Sequence, residues 1–542
     1  MALSRLAPAV LGLVLLLLAA APSATARPAS AARNGKPNIL VVMTDDMAST
    51  DVALMPNVRR LLAARGTTFA DAVDSYPLCC PARATFITGQ YAHNHDVRSN
   101  FFPHGWYGMK DRRNILPAWL QRSGYTTALI GKWLNGYGAR DGHGEVPHGF
   151  DLWRGLLDVS AYDYFNYVMN VNGRLRTWGD AAFARKLVEF AKVEVTERPN
   201  PGLADVLGEL SRVMGPGPYT SWGAERTADY SPDVTGRITE GLVAAQARSR
   251  KPFFIWWAPT APHREDVATT LMGRPGADPR PAPRHAERVR RLQLPKPPNF
   301  DEADVSDKPS SLRAAAPRLD EEQVAQLELD FQGRAGALLA VDDHVGRLVR
   351  TLRRTGQLNN TMIVFVSDNG WLQGEHRIPG DKFLPYDESL RIPLIVRGPG
   401  VPSGRTVRGQ VSNVDFAPTL LAAAGARPGR RMDGVSLLPV LRARRERPPR
   451  RALVVEALDR LFRGEFGNVM AWDRPYRGVR TDRYTYVVYA ETGERELYDR
   501  RRDPHELRNV AGDPAYASVQ ARLAGRLERL ADCAGRPCLA AP

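Results

Sequence analysis

Four short apolar runs, at residues 38–44, 125–130, 252–257 and 362–366, constrain this chain more than anything else in it. Each is shorter than an ordinary helix and carries β-branched or aromatic residues without strict alternation, the pattern of strands covered on both faces in a parallel sheet. Each also gives way to polar residues: Asp45-Asp46 after the first, Lys132 after the second, His263 after the third, and Asp368-Asn369 after the fourth. Ligands of open α/β sheets sit beyond the carboxyl ends of the strands, so the four polar sets can converge without special assumptions.

The stretches around the runs fill in the class. Helical spacing at residues 56–64, 116–122, 330–354 and 415–424, and further strands at 67–72 and 391–396, predict an α/β fold with a large central, mostly parallel sheet sandwiched by helices. Past residue 450 the pattern changes to short strands at 476–479, 484–489 and 496–498, followed by a helix over 515–531, which predicts a smaller C-terminal unit with an antiparallel sheet. Residues 149–241 have weak periodicity and read as loops and short helices over the active face, with an insertion-like stretch at 195–218. Residues 273–317 are rich in proline and charge and read as an extended surface loop. Arg5, an apolar run from Ala9 to Ala21 and Ala24-Thr25-Ala26 read as a secretory signal over 1–26, too short to span a bilayer comfortably. The organisation expected is thus signal 1–26, leader 27–35, catalytic α/β domain 36–445 with its boundary near 442–451, and C-terminal subdomain 446–542, in a secreted protein with no membrane span.

The 542 residues carry a formal charge of +15, nearly all of it from arginine, and the basic residues are scattered without a nucleic-acid-binding motif, so nucleic acid is set aside as a partner. Only nine lysines occur, which makes Lys132, just past a strand, and Lys382, in Gly380-Asp381-Lys382, informative. Two adjacent carboxylates at a strand end lose hydration and repel each other, which a divalent cation between them relieves. Asp45, Asp46, Asp368 and Asn369 form a hard-oxygen set suited to Ca²⁺, with Mg²⁺ the alternative. Four cysteines can pair in three ways, and pairing Cys533 with Cys538 is the economical choice, leaving Cys79 and Cys80 free.

Leu78-Cys79-Cys80-Pro81-Ala82-Arg83-Ala84-Thr85-Phe86-Ile87-Thr88-Gly89 reads as a short helix with proline in its first turn and glycine at its end. Cys79 sits at the N-terminal mouth, and Arg83 lies one turn along the same face. These residues resemble the signature Cys-x-Pro-x-Arg of the type I, formylglycine-dependent sulfatases, of the alkaline-phosphatase-like superfamily. The resemblance implies that Cys79 is oxidised to formylglycine by a formylglycine-generating enzyme. One hydroxyl of the hydrated aldehyde, polarised by the metal, then attacks sulfur, and the second expels sulfate from the covalent hemisulfate. It further implies that position 79 joins the metal site, that Arg83 holds the nucleophile, that Lys132 and Lys382 neutralise sulfate oxygens, and that His263 or Lys382 protonates the leaving alcohol.

The chain departs from the commonest pattern at Leu134. Many sulfatases read Gly-Lys-x-His there, with the His assisting sulfate release; here Asn135 follows and cannot act as a base. Lys-x-Leu-Asn, Cys-Cys-Pro, His93-Asn94-His95 and Val305-Ser306-Asp307-Lys308-Pro309 resemble the N-acetylglucosamine-6-sulfatase branch. That implies a sulfated sugar such as 6-O-sulfated N-acetylglucosamine as substrate, with aryl sulfates or a formylglycine-dependent phosphonate or phosphodiester hydrolysis as alternatives. A non-catalytic sulfated-glycan-binding protein is the reading from another class. Asn135, His93, His95 and His376 are candidate substrate contacts; His376 could equally cap a turn, and His93 and His95 could be structural.

Overall fold

The computed structural model describes residues 35–101, 103–138, 144–158, 160–181, 184, 226–265, 279–443, 452–460 and 473–539. The signal and leader through residue 34, the stretch 195–218 and nearly all of the expected boundary at 442–451 lie outside them.

Eleven strands make the large sheet: β1 (Asn38–Thr44), β2 (Thr67–Val73), β3 (Thr126–Lys132), β4 (Leu152–Leu156), β5 (Tyr167–Val171), β6 (Arg174–Trp178), β7 (Phe253–Ala258), β8 (Thr361–Ser367), β9 (Arg391–Arg397), β10 (Arg405–Val407) and β11 (Val411–Ser412). Their order is β10-β2-β9-β8-β1-β7-β3-β4-β5-β6, with β11 also on β2. The central five, β8-β1-β7-β3-β4, are parallel throughout, and four of them, β1, β3, β7 and β8, are the apolar runs, as strands covered on both faces must be. β9 is antiparallel to both β8 and β2, so β2 points the same way as the centre and delivers the chain that follows it to the same edge.

Register does the rest. Thr44 pairs with Ser367 across β1 and β8, which sets Asp45-Asp46 beside Asp368-Asn369. β3 carries Lys132 to that edge through Gly131, whose φ is 109°; a Cβ there would lie 2.0 Å from the carbonyl oxygen of Ala258 on β7, so only glycine permits the close pairing.

Helices cover both faces: α1 (Cys79–Thr88), α2 (Leu116–Arg122), α3 (Ser231–Gln246), α4 (Glu321–Arg354) and α5 (Phe416–Ala424). Alternate residues of β1 feed the two layers. Ile39, Val41 and Met43 pack with Phe86 and Ile87 of α1 and Leu420 of α5, whereas Leu40 and Val42 pack with Leu338 and Val341 of α4 and Val243 of α3. Burial on this scale is the main driving force for the fold.

The second sheet is antiparallel, β12 (Leu453–Ala457), β13 (Tyr476–Arg480), β14 (Tyr484–Tyr489) and β15 (Arg495–Asp499) in that order, and α6 (Ala517–Leu530) closes it through Leu523 and Leu530. Cys533 and Cys538 are disulfide-bonded, and Cys79 and Cys80 are free and buried. Among the described residues no helix is long and apolar enough to cross a membrane.

Several local expectations differ from what forms. Residues 56–64 coil as a π-helical turn (Val58–Leu62) followed by a 3₁₀ turn rather than one α-helix. The long helix starts at Glu321, earlier than its apolar spacing suggests, because Asp320 and Gln323 form a reciprocal capping box. Residues 149–241 contribute three strands, β4 to β6, as well as loops; β6 is solvated at the sheet edge, with residues 174–176 exposed, which removes the apolar signal.

Candidate active site

β2 ends at Val73, and the chain turns through Leu78 into α1, which opens with Cys79 at the edge where β1, β3 and β8 end. Gly89 closes α1 in a left-handed conformation, φ 67°. The Cys79 Sγ is fully buried, 3.4 Å from Asp45 Oδ1 and 3.8 Å from Asp46 Oδ1. Burial pushes its thiol pKa well up; Lys132 and Lys382 pull the other way, and Asp45 and Asp46 add to the rise.

Three cations surround three carboxylates. Lys132 Nζ is 2.6 Å from Asp45 Oδ2, and Arg83 Nη2 approaches the same oxygen at 3.4 Å. Lys382 Nζ pairs with Asp46 Oδ2, with His263 Nε2 3.4 Å from that oxygen. Arg83 Nε donates to Asp368 Oδ2 at 2.8 Å and its Nη1 to the carbonyl of Lys132 at 3.0 Å, tying α1 to β3 and β8. Burial works to raise the carboxyl pKa of Asp45, but Lys132 and then Arg83 outweigh it and hold it well below the usual range; for Asp46, Lys382 and then His263 outweigh burial and lower it. Asp368 is pushed up to about 7 by burial and by Asp45, against Arg83.

The fit to a metal can be judged from the atoms left over. Asp45, Asp46, Cys79 and His263 each offer a ligand atom within 4.8 Å of the others. Asn369 Nδ2 donates to Asp46 Oδ1 at 2.7 Å, and its buried Oδ1 has no hydrogen-bond partner. Asp368 lies in the same cluster, its Oδ1 accepting from the amides of Asp46 and Asn369 and its Oδ2 from Arg83. An orphaned amide oxygen beside two carboxylates suits a hard divalent cation, so the set fits such a group.

His263 follows β7 through Ala258-Pro259-Thr260-Ala261-Pro262. Its Nδ1 lies 2.7 Å from the carbonyl oxygen of Arg264, which can only accept, so Nδ1 carries the proton and Nε2 faces Lys382 Nζ at 3.3 Å. Two residues here were not singled out from the sequence. The Tyr162 ring lies 4.5 Å from Lys132 Nζ and 4.5 Å from the His263 ring, and its hydroxyl accepts from Asn135 Nδ2 at 2.6 Å. Arg334, buried on α4, donates to the carbonyls of Asp46 and, at 3.1 Å, Pro262, so it holds two site loops together. The tyrosine-rich composition of residues 149–241 was the available signal for the first; an arginine inside a long helix gave none.

The remaining candidates separate. Among the described residues the Asn135 side chain meets the site through Tyr162, and Leu134 packs in the apolar core with Trp106 and Trp133, so neither brings a titratable group to Cys79. His95 is fully buried and hydrogen-bonds Thr85 of α1 at 3.0 Å. His93 lies between Glu456 of β12 and the carbonyl of Cys533, joining the two sheets' layers. His376 is fully buried, with Nδ1 on Glu302, Nε2 3.2 Å from Asn299 Nδ2 and its ring stacked on Tyr386. These three are placed as internal braces and are not brought to the Cys79 cluster.

Comparison with known proteins follows the same lines. Residues 37–426 match the family model described as sulfatase, and residues 374–532 one described as N-sulphoglucosamine sulphohydrolase, C-terminal. The chain is 29% identical over 548 residues to an N-acetylglucosamine-6-sulfatase of Homo sapiens, covering 94% of this chain and 87% of that protein. It is 29% identical to an arylsulfatase of Volvox carteri, covering 94% and 76%. A solved complex with its substrate D-glucosamine-2-N,6-O-disulfate superposes with a TM-score of 0.68 at 24% identity, covering 91% of this chain and 97% of that one. The phosphonate monoester hydrolase of Agrobacterium radiobacter does so at 0.58 and 23%, covering 92% and 95%. The likeness to the solved structures is one of fold.

Proposed function

The chain belongs to the sulfatase family and is a sulfatase; from that premise we propose that it uses a formylglycine made from Cys79 to hydrolyse sulfate esters of a sugar, 6-O-sulfated N-acetylglucosamine in particular. The observation that carries this reading is the Cys79 side chain itself, buried against Asp45 and Asp46, whose carboxylates pair with Lys132, Arg83 and Lys382. The named relatives and the Lys-x-Leu-Asn and Cys-Cys-Pro spellings support the sugar.

Formylglycine, made by a formylglycine-generating enzyme, would present a hydrated aldehyde as the oxygen nucleophile. Asp45, Asp46, Asp368, Asn369 and position 79 would hold a divalent cation, Ca²⁺ in our reading and Mg²⁺ as the alternative, with Asp368 also accepting from the Asp46 and Asn369 amides. When bound, that cation supplies Lewis-acid polarisation and charge neutralisation. Lys132 and Lys382 place fixed positive charge where sulfate oxygens gather, at no reorganisation cost during reaction. Arg83 fixes the first turn of α1, and with it position 79, against β3 and β8. His263, oriented by the Arg264 carbonyl, exchanges a proton at Nε2 beside Lys382, where the leaving alcohol oxygen is protonated. The N-terminal 26 residues would direct the chain out of the cell, where sulfated carbohydrate is met.

The test is a side-by-side assay on N-acetylglucosamine-6-sulfate, 4-nitrophenyl sulfate and a phenyl phosphonate monoester. Hydrolysis of the sugar sulfate with the highest kcat/KM supports the reading. Turnover of the aryl sulfate alone leaves a broad arylsulfatase, and preference for the phosphonate ester overturns it.

A further inference from the structure

The β4–β6 edge of the large sheet carries a basic groove that the roles above leave unused. Between these strands and α3 lies a solvent-open cavity of about 400 Å³, lined by Arg154, Val171, Arg176, Trp178, Arg237 and Ile238. Alternation along β6 puts Arg176 and Trp178 on one face, and Trp178 there packs with Val171 and Ile238 on a cluster of Leu156, Met169 and Val234. The groove therefore has an apolar floor and an aromatic ring, which stacks on Tyr167 with centroids 5.5 Å apart.

Three cations meet over that floor without a counter-ion. Arg154 donates to the Trp153 carbonyl and, at 2.9 Å, to Asn172 Oδ1, and Arg237 donates to the Ala228 carbonyl at 2.8 Å; among the described residues neither they nor Arg176 form an ion pair. The acids nearby in the chain are engaged elsewhere: Asp229 by Arg226, Asp233 by Arg284 and His344, and Glu240 by His344. Burial, with repulsion from Arg176 behind it, lowers the Arg154 pKa, as expected of two guanidinium groups facing each other with no anion between them.

Strand register ties the groove to the active site. Arg176 pairs with Met169, Met169 with Leu156, and Leu156 with Lys132, so one row of the sheet runs from the groove to that lysine. Three strand spacings of about 4.8 Å separate the two backbone positions by roughly 14 Å. A chain of several sugars can bridge that separation, and a single sugar cannot.

Guanidinium groups pair with oxyanions through parallel N–H donors, and an aromatic ring set in an apolar floor offers a surface to the C–H face of a sugar. We propose that this groove is a second binding site for a sulfated carbohydrate chain, in which Arg154, Arg176 and Arg237 hold sulfate or carboxylate groups while another sugar of the chain occupies the active site. This rests on the carbohydrate reading above and deepens it, making a polyanionic chain the preferred substrate.

The test uses the full-length mature enzyme and Arg176→Gln/Arg237→Gln, at two exposed positions, beside Arg59→Gln/Arg60→Gln, which removes the same charge from the exposed side of the turn Val58–Leu62. Affinity for a heparin oligosaccharide is measured at fixed salt, alone and with a DNA duplex as competitor, and kcat/KM is measured on N-acetylglucosamine-6-sulfate. The groove variant should bind the oligosaccharide about tenfold or more weakly, the scale of losing two charge-assisted contacts, with the control within roughly twofold of wild type. Both variants should keep wild-type turnover of the single sugar. Equal loss of affinity in the two variants, or displacement of the oligosaccharide by DNA at equal charge concentration, overturns the inference by showing a response to net charge alone. Lost single-sugar turnover in the groove variant also overturns it, because these arginines would then serve the active site itself. Wild-type enzyme that leaves N-acetylglucosamine-6-sulfate uncleaved refutes the carbohydrate reading, and is seen before any variant is made.

Discussion

Replacing Arg83 by Met in metal-free protein isolates the ion pairing that fixes the nucleophile helix. Met roughly preserves the aliphatic volume and removes four interactions: the 2.8 Å donation to Asp368, the 3.4 Å approach to Asp45, and donations to the carbonyls of Lys132 and Trp133. Asp45 keeps Lys132 at 2.6 Å, so its charge stays compensated. Asp368 keeps only two backbone amides, and its carboxyl, already pushed up to about 7 with Arg83 in place, must take up a proton or stay buried as a charge without its ion-pair partner. Breaking a buried pair in this way costs about 3–5 kcal/mol, and the two carbonyls deprived of a donor account for roughly 1–2 kcal/mol more. A loss of this size is a large share of the 5–15 kcal/mol typical of a folded domain. The decisive arm is the double variant Arg83→Met/Asp368→Asn, which removes the unpaired carboxyl and its proton-uptake cost but keeps an acceptor for the Asp46 and Asn369 amides. Urea unfolding with chelator present should show the double variant about 2 kcal/mol more stable than Arg83→Met alone. A single-variant loss below about 1 kcal/mol, or no recovery in the double variant, refutes the reasoning.

Two further outcomes are expected away from the nucleophile. His344 on α4 places Nε2 3.0 Å from Asp233 and Nδ1 on Glu240, both on α3; burial lowers its pKa, but the two carboxylates outweigh this and raise it. Its contribution to stability is therefore complete below the unfolded value of 6.5 and is lost as pH rises through the higher folded value. Urea midpoints of wild type and His344→Gln should differ more at about pH 6 than at about pH 9, and equal gaps would contradict the pairing. Removing the Cys533–Cys538 disulfide by a double Ser substitution should cost about 2 kcal/mol, the value for a short loop, read by thermal unfolding with and without reductant. Because the Cys533 carbonyl receives both His93 and Asn94, the loss should be accompanied by faster amide exchange in residues 91–96; unchanged exchange there would separate the loop from that contact.

What could be read from the sequence follows from how strongly each residue's surroundings were local. β1, β3, β7 and β8 announce themselves because strands buried on both faces must be apolar throughout, and the polar residues after them then stand out at one edge. Lys132 and Lys382 gained weight from the scarcity of lysine in an arginine-rich chain, and both lie in the cluster. β9 looks like another core strand, and nothing local tells that it runs antiparallel between β8 and β2. Tyr162 and Arg334 were missed because each acts across the fold: one through a loop with no periodicity, the other from a helix where an arginine normally meets solvent. His376 depends on Glu302 and Asn299, which the proline-rich loop delivers from far along the chain, so its burial has no sequence signature.

The account stands or falls on the covalent state of position 79. Mass spectrometry of the peptide spanning Cys79, taken from natively produced and catalytically active protein, measures it directly, and derivatisation with a hydrazide confirms an aldehyde. The account predicts formylglycine at position 79, in a fraction that rises and falls with specific activity between preparations. Full sulfatase activity in protein that carries only the thiol, or a disulfide, at this position would contradict it.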